Sequence, residues 1–220
     1  MPRLPRTDEA PLVIAIDGPA AAGKGTLARS LASHYGLRHL DTGLLYRATA
    51  LRVLRAAGDP TQATEAAAAA RGISDTDLED PALRAEDVGQ AASVVGTHGA
   101  VRKALLAYQR AFAAHPPGAV LDGRDVGTVV CPDARVKLYL EATAEVRARR
   151  RLCELRSRGV EGIESGVLDE IIARDARDRR RSAAPMKPAE DASRIDTSAL
   201  GPDQVFERAV AIVDSRLRSA

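Results

Sequence analysis

The sequence predicts an α/β fold, a parallel sheet flanked by helices. Two observations carry this. Short apolar runs alternate along the chain with segments of helical spacing, the pattern of strands joined by helical crossovers. The first run, Leu12-Val-Ile-Ala-Ile16, enters a glycine- and alanine-rich loop that opens directly into a helix.

Residues 1–10 are polar and proline-punctuated and read as a loose tail. Leu12 to Ile16 is apolar throughout, as a strand covered on both faces requires. Thr26 to Tyr35 carries Leu27, Ala28, Leu31 and Ala32 at helical spacing, and Gly36 is placed to end that helix. Leu37–Leu40 is a second strand, and Asp41-Thr-Gly opens a helix reaching about Ala57. Gly58-Asp-Pro60 is a break. The alanine-dense stretch from Thr61 to Ala70 is helical, and Pro81 forces a new start inside the acidic stretch 75–87. Helices are expected over Ala82–Val95 and Val101–Ala114, and His115-Pro-Pro-Gly118 stops the second. Ala119-Val-Leu121 is a strand ending in Asp122-Gly-Arg-Asp125. Val136–Leu140 is another, followed by an arginine-rich helix over Thr143–Arg158. Gly159, Gly162 and Gly166 mark a flexible loop. Leu168–Arg181 is helical, Arg194–Thr197 is the last strand, and Pro202–Leu217 is a closing amphipathic helix.

Composition bounds the function. The 220 residues fit one domain. A net charge of +2 excludes a strongly polybasic nucleic-acid binder, and 3% aromatics leave little for base stacking. No stretch reaches 18 apolar residues, so no membrane span is expected. Cys131 and Cys153 have no metal-ligand spacing and cannot staple a chain of this size, which fits a reducing cytoplasm. Of 32 basic residues only Lys24, Lys103, Lys137 and Lys187 are lysine. Arginine grips phosphate in bidentate geometry, although a GC-rich gene would produce the same excess.

The loop Gly18-Pro19-Ala20-Ala21-Ala22-Gly23-Lys24-Gly25-Thr26 lies between strand and helix, where a phosphate-binding loop belongs. Its glycines let backbone N–H groups turn inward, and the helix N-terminus adds partial positive charge. Lys24 would reach the β- and γ-phosphates and Thr26 would sit on Mg²⁺. Gly25 stands where Ser or Thr usually follows the lysine. Such a loop binds a nucleoside triphosphate but leaves open a small-molecule kinase, a hydrolysing switch or motor, and a phosphate-gripping nucleic-acid binder. The chain has no Asn and hence no guanine-reading Asn-Lys-x-Asp, and no room for a second domain, which disfavours the switch or motor. A kinase needs arginines on several elements to offset the charge on the transferring group. Arg47, Arg124, the run Arg147, Arg149, Arg150 and Arg151, and the set Arg174, Asp178, Arg181 on one helix face supply them.

With these residues in hand, the chain resembles the bacterial cytidylate kinases of the nucleoside monophosphate kinase group. The resemblance runs from Leu12 to Leu217. It rests on Ile16-Asp-Gly-Pro with Gly-Lys-Gly-Thr26, Leu40-Asp-Thr-Gly with Tyr46-Arg47, and Gln90-Ala-Ala-Ser93 with Val101-Arg102. Asp122-Gly-Arg-Asp-Val-Gly-Thr-Val-Val130 and Arg174-Asp-x-x-Asp178-Arg complete it. It implies a P-loop kinase with a mobile acceptor-binding lobe and a short lid. The core would comprise 12–42, 115–150 and 182–220, the lobe about 43–114 and the lid about 152–168. It further implies transfer of the γ-phosphoryl of ATP to CMP or dCMP, a step of pyrimidine nucleotide metabolism, with Mg²⁺. A related kinase acting on UMP or a small metabolite is the alternative.

Carried onto matching positions, the resemblance puts Thr42 and Arg47 at the acceptor nucleotide, Arg47 at its phosphate, which Arg124 and Arg181 also grip. Ser93, Arg102 and Asp125 would read the cytosine edge, where an amino donor faces the carboxylate and ring N3 and O2 accept. Arg174 and Asp178 would hold the ribose hydroxyls and Arg150 would face the adenine. Asp122 would hold Mg²⁺ through water. Thr42 also suits a helix N-cap, and Ser93 a small packing residue. Tyr46 is expected as core support for Arg47, and the histidines, His39 among them, as structural or surface residues. The stretch 58–92 lacks the strand-bearing insert many of these kinases carry there. With no exposed apolar stripe evident, a cytoplasmic monomer is expected.

Overall fold

The structure is a computed structural model and describes residues 10–218. Residues 1–9 of the expected N-terminal tail lie outside the described residues, as do 219 and 220.

Five strands form one parallel sheet: β1 (Leu12–Asp17), β2 (Arg38–Asp41), β3 (Gly118–Gly123), β4 (Val136–Glu141) and β5 (Ser193–Asp196), in the order β2-β3-β1-β4-β5. Eight α-helices surround the sheet among the described residues: α1 (Lys24–Tyr35), α2 (Thr42–Arg55), α3 (Ala63–Arg71), α4 (Glu86–Val95), α5 (Gly99–Ala113), α6 (Ala144–Ser157), α7 (Glu164–Arg180) and α8 (Pro202–Arg218). Successive strand residues point to opposite faces, so one run feeds two cores. Leu12, Ile14 and Ile16 pack with Leu27 and Leu31 of α1 and with Val205 and Val213 of α8. Ala15, with Leu40 and Leu121, packs on the other face against Leu45 of α2, Val95 of α4 and Leu105 of α5. Leu152 and Leu155 of α6 close a separate small core on Val167 and Ile171 of α7.

Several expected boundaries move. α7 begins at Glu164 rather than Leu168, so Gly166 lies inside the helix and not in the loop marked by Gly159 and Gly162. The acidic stretch before α4 is not part of that helix. Ser74 and Asp77 form a capping box on a 3₁₀ turn, Asp75–Glu79. Asp80 caps a second 3₁₀ turn, Pro81–Arg84, through Ala82 N–H, so α4 begins only at Glu86. These side chains offer the backbone local partners that compete with the α-helical ladder. Nor is Thr42 an N-cap. Asp41 takes that place, accepting from Gly43 N–H at 2.9 Å, and Thr42 Oγ1 donates instead to the Asp122 carbonyl at 2.8 Å. The stretch 58–92 contains only helical elements and turns.

Parallel alignment brings the carboxyl ends of β1, β2 and β3 to one edge. Asp41 is paired in register with Asp122, and Asp17 with Gly123. Ligands of open α/β sheets bind outside that edge.

Candidate active site

Between β1 and α1 the loop turns through Ala21 at φ 58° and Gly23 at φ 94°, both in the left-handed region. Gly23 adopts it freely, whereas Ala21 is held there against its preference. The loop wraps the Lys24 side chain, whose Nζ donates to the Pro19 carbonyl at 2.7 Å. Burial, with Arg124 nearby, lowers the Lys24 pKa to about 7. An incoming anion would favour the charged form.

A single cavity of about 740 Å³ begins at this loop. Ala20 through Thr26 line it, and Gly18 and Pro19 lie beneath, buried. Thr42, Arg47, Ser93, Arg102, Asp122, Arg124, Asp125, Arg150, Arg174, Asp178 and Arg181 also line it. The structure thus gathers residues from seven separate elements around one space.

Its centre is cationic. Asp178 is buried and both its oxygens are engaged, one by Arg124 Nε at 2.8 Å and the other by Arg181. Burial works against its charge, yet Arg124, Arg181 and Arg174 hold its carboxyl below the usual range. Asp178 therefore aligns two guanidinium groups, and a ribose hydroxyl reaching it would share the remaining lone pairs. Burial, and then Arg124, lowers the Arg174 pKa to about 10, and its Nε has no hydrogen-bond partner. Arg181 Nε is likewise buried and unpartnered. Unpaired buried donors among like charges are costly without an anion to share. Arg47 closes this group, donating to the Leu83 and Ala85 carbonyls at 2.7 and 3.2 Å. It lies so close to α4 that a Cβ on Gly89 would stand 2.8 Å from Arg47 Nη2.

At one end Arg102 forms a buried ion pair with Asp125. The Arg102 guanidinium lies 5.5 Å from the centre of the Tyr46 ring, so Tyr46 backs Arg102 rather than Arg47. Asp125 is held by a π turn, Val126–Val130, whose first N–H groups donate to Asp17. Asp17 accepts from Val126 and Gly127 at 2.7 Å each, and burial raises its pKa to about 6. Ser93 Oγ is buried on α4 and accepts from Arg177 Nε at 3.2 Å.

At the other end Arg150 donates to the Thr197 hydroxyl and carbonyl at 2.9 and 2.6 Å. Leu200, just before α8, and Pro202 and Phe206 in its first turns also line the cavity. Arg147, buried and paired with Asp175 at 2.7 Å, ties α6 and α7 to the loop through the Ala20 carbonyl at 3.3 Å. Arg151 crosses the mouth to Glu86 of α4.

Oxygen donors for a hard cation sit beside the loop. Asp122 Oδ1 is held by His39 Nε2 at 2.8 Å. Its Oδ2 lies near Gly25, 3.9 Å from where a Cβ there would stand. Among the described residues no group of three His, Cys, Asp or Glu side chains is arranged to hold a metal ion by itself. One carboxylate, one hydroxyl (Thr26) and bound phosphate suit Mg²⁺, which keeps much of its water.

Sequence reasoning did not single out Arg177, Asp17, the pairing of Arg147 with Asp175, His39 as a partner of Asp122, or the Thr197–Phe206 wall. Arg177 shares the helical spacing that grouped Arg174 with Asp178. His39 alternates with Asp41 on one strand face.

The cytidylate kinase family profile matches residues 14–215. A cytidylate kinase from Rhodopseudomonas palustris (strain TIE-1) is 53% identical over 204 residues, 93% of this chain and 96% of that protein. One from Granulibacter bethesdensis (strain ATCC BAA-1260 / CGDNIH1) is 57% identical over 202 residues, 92% of this chain and 96% of that protein. Among solved structures, a gluconokinase from Sinorhizobium meliloti 1021 superposes with a TM-score of 0.52 at 13% identity, covering 95% of each chain. At that identity the likeness is one of fold.

Proposed function

The chain belongs to the cytidylate kinase family, and from that premise we propose how its side chains carry the γ-phosphoryl group of ATP to CMP or dCMP. The observation that supports the division of labour is the single cavity joining the phosphate loop to the Arg102–Asp125 pair, with the arginine cluster between them.

ATP enters with its triphosphate in the Gly18–Thr26 loop and its adenine at the end of the cavity lined by Arg150 and Phe206. Lys24 leaves the Pro19 carbonyl for the β- and γ-phosphates. CMP binds from the opposite side. Asp125 accepts from the cytosine amino group, while Arg102 and Ser93 donate to ring acceptors. Thr42 lies beside Arg47, which takes the CMP phosphate, and Arg174 and Asp178 meet the sugar. The two substrates then face each other across Arg124 and Arg181.

A CMP phosphate oxygen attacks the γ-phosphorus as its bond to the ADP oxygen breaks. No protein nucleophile takes part. The chain contributes alignment and charge: Lys24, Arg47, Arg124 and Arg181 offset the negative charge of the transferring group. Mg²⁺, held by Thr26 and through water by Asp122, would supply further charge neutralisation at the phosphates. The α6–α7 hairpin, already touching α4 through Arg151, shields the site from water. A monomer is the assembly and the cytoplasm the compartment we assign.

Lys24→Ala tests the assignment. Turnover falls by about a hundredfold or more, while CMP affinity measured by calorimetry stays near that of the parent. Near-parental turnover would remove Lys24 from the mechanism.

A further inference from the structure

The carbonyls of the phosphate loop are taken up by side chains around it. Pro19 accepts from Lys24 Nζ at 2.7 Å, Ala20 from Arg147 Nη1 at 3.3 Å and Ala22 from the Thr197 hydroxyl at 3.1 Å. The N–H groups of the loop are treated the opposite way. Among the described residues no protein acceptor takes the N–H of Ala21, Ala22 or Gly23. Those three residues line the cavity, whereas Arg147 does not.

Peptide geometry links the two halves of this pattern. In a trans peptide the carbonyl and the following N–H point in opposite directions. A donor on the Ala20 carbonyl therefore also sets the direction of the Ala21 N–H, and a donor on the Ala22 carbonyl sets that of Gly23. Ala21, between the two pinned peptides, has φ 58°, a conformation that alanine avoids when nothing holds it there. The Pro19 contact cannot do the holding during turnover, because Lys24 leaves that carbonyl when it moves to the phosphates. The contacts from Arg147 and Thr197 do not depend on Lys24.

Arg147 has the geometry of a fixed clamp. It is 3% exposed, and its nitrogens point to three different places. Nε donates to the Ala142 carbonyl at 3.0 Å, just before α6, and Nη2 donates to Asp175 of α7 at 2.7 Å. These two contacts orient the guanidinium plane, and the third donor then meets the loop. We propose that Arg147 is a positioning residue for the ATP-binding loop: by holding the Ala20–Ala21 peptide from the α6 side, it keeps the Ala21 N–H turned toward the triphosphate. This rests on the loop being the triphosphate site. The charge of Arg147 is matched by Asp175, so the role is one of geometry. A lysine would keep that charge but could not reach all three partners from one nitrogen.

The test compares the parent with Arg147→Lys and with Arg147→Met/Asp175→Met. The double variant replaces both halves of the buried pair with apolar side chains, so no charge is left unpaired. Calorimetry gives Kd for Mg·ATP and for CMP, steady-state turnover gives kcat and KM, and thermal melts control for folding. In both variants Kd and KM for ATP are expected to rise about tenfold. Kd for CMP stays within about twofold of the parent, and kcat at saturating ATP falls less than KM for ATP rises. Parental ATP affinity in either variant overturns the proposal, and in Arg147→Lys it would show that charge alone is enough. An equal loss for CMP also overturns it, since the α6–α7 hairpin as a whole would then be disturbed. A fall in kcat with unchanged KM overturns it too, because Arg147 would then act on the transferring group itself. If one variant does not melt cooperatively, the other decides by the same criteria. Near-parental turnover in Lys24→Ala, assayed alongside, would instead overturn the loop assignment on which the proposal stands.

Discussion

Gly89→Ala separates the role of Arg47 from the stability of the fold. Gly89 is buried in the first half of α4, where alanine is the better helix former by about 1 kcal/mol. The added Cβ would stand 2.8 Å from Arg47 Nη2, 3.1 Å from Nη1 and 3.2 Å from the guanidinium carbon. Each is the end of a flexible side chain, so the arginine moves and the helix does not. Displacement breaks its bonds to the Leu83 and Ala85 carbonyls, and the helix gain offsets part of that loss. Net stability therefore changes by no more than about 1 kcal/mol. The effect on CMP is larger. A charge-assisted hydrogen bond contributes about 1.5–3 kcal/mol, which is about ten- to a hundredfold in KM for CMP. The assay is steady-state turnover with CMP varied at saturating ATP, paired with a thermal melt. KM for CMP rises, KM for ATP stays within about twofold, and the melting temperature shifts by about 4 °C at most. An unchanged KM for CMP, or an equal rise for ATP, would refute the placement of Arg47 on the acceptor phosphate.

Two further outcomes follow from the phosphate loop. Ala21→Gly relieves a left-handed alanine that costs about 1–2 kcal/mol, less the extra backbone entropy of glycine, about 0.5–1 kcal/mol. Urea unfolding should show a net gain of about 0.5–1 kcal/mol, and a loss would contradict that conformation. The Lys24 pKa of about 7 in the free enzyme also makes ATP binding proton-linked. The triphosphate favours the ammonium form, so binding draws in a proton wherever the free lysine is neutral. Calorimetry in buffers of different ionisation enthalpy should show uptake of ~0.9 proton at pH 8 and ~0.1 at pH 6. No difference between the two pH values would mean that Lys24 is already charged in its buried position. The same shift bears on folding. The unfolded lysine keeps its proton to about pH 10.5 and the folded one loses it near 7, so this group's contribution to stability grows as pH rises through that window.

The phosphate loop was legible because its function is local. A buried strand, a glycine-rich turn and a helix start follow one another within 15 residues, Leu12 to Thr26. The arginine face of α7 was legible for a similar reason, since helical spacing alone puts Arg174, Asp178 and Arg181 on one side. What stayed hidden were pairings across distance. Nothing in the local sequence says that Tyr46 backs Arg102, that His39 meets Asp122 or that Arg177 meets Ser93. Each is set by how the helices of 42–113 and the α6–α7 hairpin close on the sheet edge. The start of α4 was missed for a different cause: Ser74, Asp77 and Asp80 satisfy backbone donors locally and hold the chain in 3₁₀ turns. The cavity wall at the Arg150 end escaped because Thr197 and Phe206 follow the last strand, far from any recognisable motif.

The most direct measurement is ADP release from Mg·ATP with CMP, dCMP, UMP, AMP, GMP and shikimate supplied in parallel, against a lane without acceptor. The arrangement of Ser93, Arg102 and Asp125 beside the arginine cluster predicts rapid release with CMP and dCMP, weaker release with UMP, and background in the remaining lanes. Release driven by another acceptor at the expense of CMP would leave the phosphate loop intact but contradict the acceptor site described for this chain.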